Sequence, residues 1–127
     1  MKLPSNPSCI SEVERFVQDL VRRRNIDPNL YPNILISLTE AVNNAMQHGN
    51  RYDDDKEIVV SCQEKPHQIR LTISDEGSGF DPYKVPDPTA EDHVSIEGGR
   101  GVFLMKQLTD EIHFHDHGRT VELMWRI

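Results

Sequence analysis

The chain of 127 residues lacks the features that mark several classes of protein. No apolar run approaches the roughly 20 residues that cross a bilayer, and the opening MKLPSNPSC contains no signal-peptide core. The two cysteines, Cys9 and Cys62, form no CxxC pair, which indicates reduced thiols rather than a disulfide framework. These absences predict a cytoplasmic protein without a membrane span.

Positive charge is also scarce, because 14 Lys and Arg stand against 21 Asp and Glu, for a net charge of −7. This acidic balance disfavours a broad nucleic-acid surface and favours small ligands or protein partners. The sequence contains no internal repeat and no low-complexity tract. Its length predicts one domain over residues 1–127.

Hydrophobic periodicity predicts two helices in the first half of the chain. The first covers SEVERFVQDLVRRR, with Ser11 and Glu14 as a capping box at its start. The second runs from Tyr31 to His48 and ends at Gly49. The preceding MKLP is interpreted either as what remains of a clipped first strand or as a strand added to a partner's sheet edge.

The second half of the sequence predicts two β-hairpins with a short helix between them. EIVVSCQE and QIRLTIS alternate as paired strands, GVFLMKQL has the pattern of a helix, and EIHFH pairs with TVELMWRI. The order favours an α+β two-layer sandwich, with one mixed, mostly antiparallel sheet and helices packed on one face.

The first motif with chemical content is ISDEGSGF, in which Asp75 ends a predicted strand and precedes Gly77 and Gly79. Glycines there permit positive φ and a close approach of ligand to backbone. An aspartate just before them can accept hydrogen bonds from an amine in a part-buried pocket. An ordinary turn uses the same residue types, so the motif alone leaves both interpretations open.

The second motif is EGGRGVFLMKQL, a glycine cluster that runs directly into a helix. This arrangement presents backbone N–H groups and the positive end of the helix dipole to an anion. It is not a Walker A motif, since no Gly-Lys-Ser/Thr follows, and no strand leads tightly into it as in a Rossmann fingerprint. Alone it is a weak phosphate signal.

The third motif is TEAVNNAMQHGN, which places Glu40, Asn44 and His48 on one helix face at steps of four residues. The Asn44 amide oxygen is a hard ligand of the kind that Mg²⁺ prefers. Glu40, one turn earlier, suits a proton acceptor for a nucleophile aligned on a phosphate. A chance arrangement on an exposed surface is the alternative, and His48 fits a packing role better than a catalytic one.

The three motifs in this order resemble the N box and the two glycine boxes of the GHKL ATP-binding superfamily, which includes DNA gyrase and histidine kinases. Within it, NNAMQHGN, DEGSGFDP and GRGVFLMKQLTDEI are most similar to bacterial anti-sigma factor serine-protein kinases. The resemblance extends from about Pro4 to Arg126. It implies the Bergerat ATPase fold, ATP and Mg²⁺ as cofactors, and a homodimer.

The resemblance also implies a role for each residue that matches a box. Glu40 is expected to be the general base, and Asn44 the magnesium ligand in the nucleotide site. Asp75 is expected to accept the adenine amino group, while Gly77 and Gly79 make room for the base.

The second glycine box and the last strand contribute the remaining expected site residues. Gly99 and Gly101 are expected to let the backbone wrap the phosphates, and Thr120 to place a hydroxyl near adenine. Arg100 stands where an apolar residue is expected, and either contacts a terminal phosphate or points to solvent.

A competing interpretation concerns HFHDH, where His113, His115 and His117 alternate along a predicted strand. Imidazoles at this spacing could bind zinc or nickel. The alternative, which we favour, is the solvent-facing side of a hairpin, because no Cys or Glu-His pair lies nearby in the sequence.

The family resemblance implies a Mg-ATP-dependent serine/threonine-protein kinase that is also an anti-sigma factor. It would phosphorylate its anti-sigma factor antagonist and sequester a sigma factor, without contacting nucleic acid or membrane. The alternative is an ATP-binding regulatory module, or a switch kinase of the same family with no sigma-factor target. Nothing in the sequence resembles a phospho-accepting histidine with its own dimerisation helices, which disfavours a complete histidine kinase.

Overall fold

The fold is that of a computed structural model, in which residues 1–77 and 99–127 are described. The two helices of the first half and the two strand pairs around a third helix are those that hydrophobic periodicity predicts. In chain order the elements are β1 (Lys2–Pro4), α1 (Ile10–Arg23), α2 (Tyr31–Asn44), β2 (Glu57–Lys65), β3 (Gln68–Ser74), α3 (Gly99–Leu108), β4 (Glu111–His115) and β5 (Thr120–Arg126).

The strands form one five-stranded sheet in the order β1-β2-β3-β5-β4. All four strand pairings among the described residues are antiparallel, so the described part of the sheet contains no parallel pair. The predicted α+β sandwich with helices on one face is confirmed. MKLP joins the chain's own sheet, since Lys2 pairs with Val59 and Leu3 with Ile58 of β2.

A single core lies between the sheet and the helices. One side of each central strand faces this core, and the other side is more exposed, as Val59 shows with 41% of its surface accessible. Burial of these apolar side chains is the main source of stability. The core includes Val13, Val17 and Leu20 of α1, Ile34, Leu38 and Ala41 of α2, Ile69, Leu71 and Ile73 of β3, Met105 of α3, and Leu123 and Trp125 of β5.

The start of α1 differs from the predicted capping box. The helix begins at Ile10, after a 3₁₀ turn over Pro7–Cys9 whose cap is Asn6, and Asn6 Oδ1 accepts the Ser8 N–H at 2.9 Å. Ser11 therefore lies inside the first helical turn, where its hydroxyl donates to Ser8 O at 3.3 Å. The capping-box prediction is wrong because the turn before the helix already carries the cap.

The end of α2 also differs from a plain helix. Regular α geometry stops at Asn44, and the chain continues as a wider π turn over Ala45–Gly49. The Asn50 N–H closes this turn by donating to Ala45 O at 2.7 Å. Single π turns inside or at the end of helices occur frequently at functional sites.

The position of α3 is fixed at its far end. Trp125 Nε1 donates to Leu108 O at 2.8 Å, and the Thr109 hydroxyl donates to Met105 O at 2.6 Å. These bonds satisfy carbonyl groups of the last helical turn, which have no partner inside the helix. The Trp125 bond ties the last turn of α3 to β5.

Candidate functional site

A narrow cleft opens where α2, α3 and the ends of β3 and β5 meet. Its inner part is apolar, with Ile73 and Met105, whereas Asn44, Asp75 and Arg119 supply polar groups. The cleft contains about 400 Å³ of space when its open side is included.

Asp75 follows directly after β3 and is held by backbone hydrogen bonds. Its N–H donates to Arg119 O at 2.9 Å, and its Oδ1 accepts the Gly77 N–H at 2.7 Å. Burial raises the pKa of the Asp75 carboxyl, while the Gly77 hydrogen bond and the Arg119 charge act in the opposite direction. The arrangement presents a half-buried carboxylate that can accept a hydrogen bond from a ligand N–H.

Two glycines allow the segments around Asp75 to approach each other. A Cβ on Gly49 would lie 2.6 Å from Asp75 Oδ1, and a Cβ on Gly77 would lie 2.7 Å from the Gly49 Cα. Real side chains do not tolerate such distances, so these positions require glycine. The π turn after α2 thus lies directly against the turn after β3.

Glu40 and Asn44 meet the first turn of α3. A Cβ on Gly101 would lie 2.9 Å from Glu40 Oε2 and 3.2 Å from Asn44 Nδ2. The two side chains therefore face the positive end of the α3 dipole, where an anion would also be favoured. Burial raises the pKa of Glu40, and the charge of Arg100, itself exposed on α3, partly offsets that rise.

The structure brings together most of the residues that the sequence singles out. Asn44 and Asp75 line one cleft, Gly101 lies against Asn44, and Gly77 is bonded to Asp75. Gly99 is the first residue of α3, whereas Gly79 lies outside the described residues.

Thr120 is placed beside the cleft rather than towards it. Its hydroxyl and that of Ser74 are 2.9 Å apart and hydrogen-bonded, while its neighbours Arg119 and Val121 line the cleft. The expected role of Thr120 near adenine therefore stays a prediction.

Sequence reasoning missed three residues of this region: Gly49, Asn50 and Arg119. The sequence marks Gly49 only as a helix end, and its close contact with Asp75 depends on the tertiary fold. Asn50 is 1% exposed, and Arg119 donates from its guanidinium to Gly77 O at 3.3 Å. Their signal in the sequence is slight, although a glycine and an asparagine ending a polar helix face do suggest a special turn.

The histidines that the sequence singles out do not form one cluster. His48 lies at the cleft and is exposed, and His113 and His115 are exposed on β4, where they face Glu111 at 3.8 Å and Glu122 at 3.4 Å. His117 has left-handed backbone geometry in the following turn. Within residues 1–77 and 99–127, no three His, Cys, Asp or Glu side chains form a group able to hold a metal ion.

The chemistry of the cleft fits a nucleotide with a divalent cation. Asp75 offers an acceptor for an exocyclic amine, and Asn44 offers a hard amide oxygen. The first turn of α3 supplies N–H groups suited to phosphate. No helix in the described part of the chain is long and apolar enough to cross a membrane.

Comparison with known proteins agrees with this geometry. A family described as "Histidine kinase-like ATPase domain" matches residues 3–125. The chain is 29% identical to the serine-protein kinase RsbW of Bacillus subtilis strain 168, over 97% of this chain and 81% of the relative. It is 28% identical to the serine-protein kinase RsbW of Bacillus licheniformis, with the same coverage.

A third relative is the serine-protein kinase RsbW of Listeria monocytogenes serotype 4a, 25% identical over 95% of this chain and 82% of the relative. The resemblance to GHKL domains, and within them to serine-protein kinases, is confirmed. Since the family match covers nearly the whole chain, the protein belongs to the family of histidine kinase-like ATPase domains.

Proposed function

We propose that residues 1–127 form a single ATP-binding kinase domain that acts on serine or threonine of a partner protein. The kinase is an anti-sigma factor: it phosphorylates its anti-sigma factor antagonist, and it sequesters a sigma factor when not engaged with that antagonist. We further propose that it works in the cytoplasm as a homodimer. The family match, the serine-protein kinase relatives and the net charge of −7 support a protein partner rather than nucleic acid.

One observation carries the proposal of phosphoryl transfer. Gly101 at the start of α3 lies against both Glu40 and Asn44, so that a helix N-terminus, a carboxylate and an amide converge. A site that only binds nucleotide needs the pocket and the helix N-terminus, but it does not need a half-buried carboxylate beside them. Glu40 is that additional group.

Each residue has a role that follows from its chemistry. Asp75 accepts the adenine amino group, Asn44 offers its amide oxygen to Mg²⁺, and the first turn of α3 binds phosphate oxygens. When bound, Mg-ATP supplies the phosphoryl group and the charge neutralisation. Glu40 receives the proton of the acceptor hydroxyl on a carboxylate oxygen, and its raised pKa makes it a stronger base than an exposed glutamate.

The proposal is tested by phosphotransfer to the purified antagonist protein of the same organism. We expect Mg-ATP-dependent phosphorylation of one serine or threonine, located by mass spectrometry. Glu40→Gln should bind ATP but lose transfer by at least about 100-fold, the size expected for loss of a general base. Glu12→Gln, a matched change at an exposed position of α1, should transfer normally.

Two outcomes would refute parts of the proposal. ATP binding without transfer to the antagonist would indicate that the protein is a regulatory binding module and not a kinase. Transfer that is undiminished in Glu40→Gln would remove Glu40 from the mechanism. Sigma-factor binding is measured separately by calorimetry with the purified sigma factor, and homodimerisation by light scattering.

A further inference from the structure

Asn50 is a buried amide that joins three segments of the chain. Its Nδ2 donates to Ser5 Oγ at 2.8 Å and to Glu57 O at 3.0 Å. Its Oδ1 accepts the Glu76 N–H at 2.7 Å. The residue is 1% exposed, so losing one of its hydrogen-bond partners is costly.

The hydrogen bonds of Asn50 are part of a closed ring. Glu76 Oε2 accepts the Glu57 N–H at 2.6 Å, and Glu57 O in turn accepts from Asn50. The Ser5 hydroxyl extends the ring by donating to Lys56 O at 2.8 Å. The end of the π turn, the start of β2 and the turn after β3 are therefore locked to one another.

This ring fixes the position of Asp75 relative to α2. Glu76 lies between Asp75 and Gly77, and Gly49, which precedes Asn50, touches the Asp75 carboxylate. On the opposite side, Arg119 holds the same turn through its carbonyl and its guanidinium. The turn after β3 is thus held from two sides. Arg119 holds it on one side, and Asn50, at the end of the π turn that follows α2, holds it on the other.

We propose that Asn50 is a positioning residue for the adenine end of the site, acting through the Glu76 backbone on Asp75 and Gly77. The proposal rests on the proposed function, in which Asp75 binds the adenine of ATP. Because Asn50 touches neither Glu40 nor Gly101 among the contacts described, its loss should weaken nucleotide binding and leave the transfer step intact.

The test measures KM for ATP, kcat and the calorimetric Kd for Mg-ATP in Asn50→Ala and Asn50→Asp. We expect Asn50→Ala to raise KM and Kd by roughly 10-fold, the effect typical of losing a supporting partner around a site, with kcat within about 3-fold. Asn50→Asp keeps the acceptor for the Glu76 N–H but places a carboxylate oxygen against Glu57 O, so its KM should rise at least as far as that of Asn50→Ala.

Controls separate positioning from general destabilisation. Ile69→Val lowers stability at the far end of β3, away from the Asn50 ring. It should keep the wild-type KM. If Asn50→Ala does not fold, Glu76→Ala opens the ring from an exposed side chain and should raise KM in the same direction.

The outcomes distinguish this inference from the proposed function. If the wild-type protein does not bind ATP, the proposed function fails. If it binds ATP but Asn50→Ala and Glu76→Ala keep the wild-type KM, the role of Asn50 is refuted. A fall in kcat with unchanged KM would also overturn it.

Discussion

Replacing Gly49 with alanine tests how closely α2 is fitted against the Asp75 carboxylate. The added Cβ would lie 2.6 Å from Asp75 Oδ1 and closer still to the other two carboxyl atoms. Ordinary contact requires about 3.5 Å, so the carboxylate has to move by roughly 1 Å. Such a shift moves the acceptor proposed for the adenine amino group.

Two opposing terms decide the effect on stability. Overpacking costs about 1–3 kcal/mol, whereas alanine in place of glycine in a helical turn gains about 0.5–1 kcal/mol. The free energy of unfolding should therefore fall by about 0–2.5 kcal/mol. ATP affinity should fall by at least about 10-fold, equivalent to about 1.4 kcal/mol, which calorimetry with Mg-ATP measures.

A double-mutant cycle in urea unfolding shows whether the effect passes through Asp75. In the Asp75→Ala background the methyl group on Gly49 has room, so only the helical gain of about 0.5–1 kcal/mol should remain. An equal destabilisation by Gly49→Ala in both backgrounds would refute the reasoning. Wild-type ATP affinity in Gly49→Ala would refute it as well.

Three further changes follow from the structure. Ser37 is fully buried, and its hydroxyl finds no hydrogen-bond partner within the described part of the chain, so Ser37→Ala should raise the free energy of unfolding by about 1 kcal/mol in a thermal melt. Gly101→Ala pushes only the flexible ends of Glu40 and Asn44, so stability should change by less than about 1 kcal/mol while phosphotransfer falls at least about 10-fold. Burial raises the pKa of both Glu40 and Asp75, so the folded protein keeps protons that the unfolded chain has already lost. The contribution of these two groups to stability should therefore fall as pH rises from the ordinary carboxyl pKa to the raised values, and Glu40→Gln with Asp75→Asn should remove that contribution in urea titrations.

Each of these expectations has a contradicting result, and the first and the third also have a matched control. Ser11→Ala, at an exposed hydroxyl, should not raise the melting temperature, and a lower value for Ser37→Ala would show that its hydroxyl is satisfied. Normal phosphotransfer in Gly101→Ala would show that the Glu40 and Asn44 positions are not critical. The pH slope should persist in Glu12→Gln with Glu14→Gln, two exposed changes, and a slope unchanged in the site variant would contradict the raised pKa values.

The local elements were predictable because their hydrophobic periods match their burial. Val13, Val17 and Leu20 repeat at helical spacing and all lie in the core, and Ile69, Leu71 and Ile73 alternate as the buried face of β3. The three motifs around Glu40, Asp75 and Gly101 were found because their residue types and order are specific, and the fold then brings them together.

The supporting contacts were not predictable for a physical reason: they join residues far apart in sequence. Gly49 meets Asp75 across 26 positions, and Asn50 reaches back to Ser5 across 45. The π turn that positions Gly49 and Asn50 ends in residue types that suggest a turn but do not indicate which segments it contacts. No local pattern indicates such contacts, since what selects these residues is the space and hydrogen-bonding left by other segments.

The most direct test of nucleotide binding is a calorimetric titration of the intact protein with ATP in the presence of Mg²⁺, beside Asn44→Ala and Glu40→Ala. We predict binding by the intact protein, weaker binding by Asn44→Ala, and binding by Glu40→Ala that survives although transfer is lost. The absence of any ATP binding by the folded, intact protein would contradict the proposed function and leave the Glu40 face of α2 without a role.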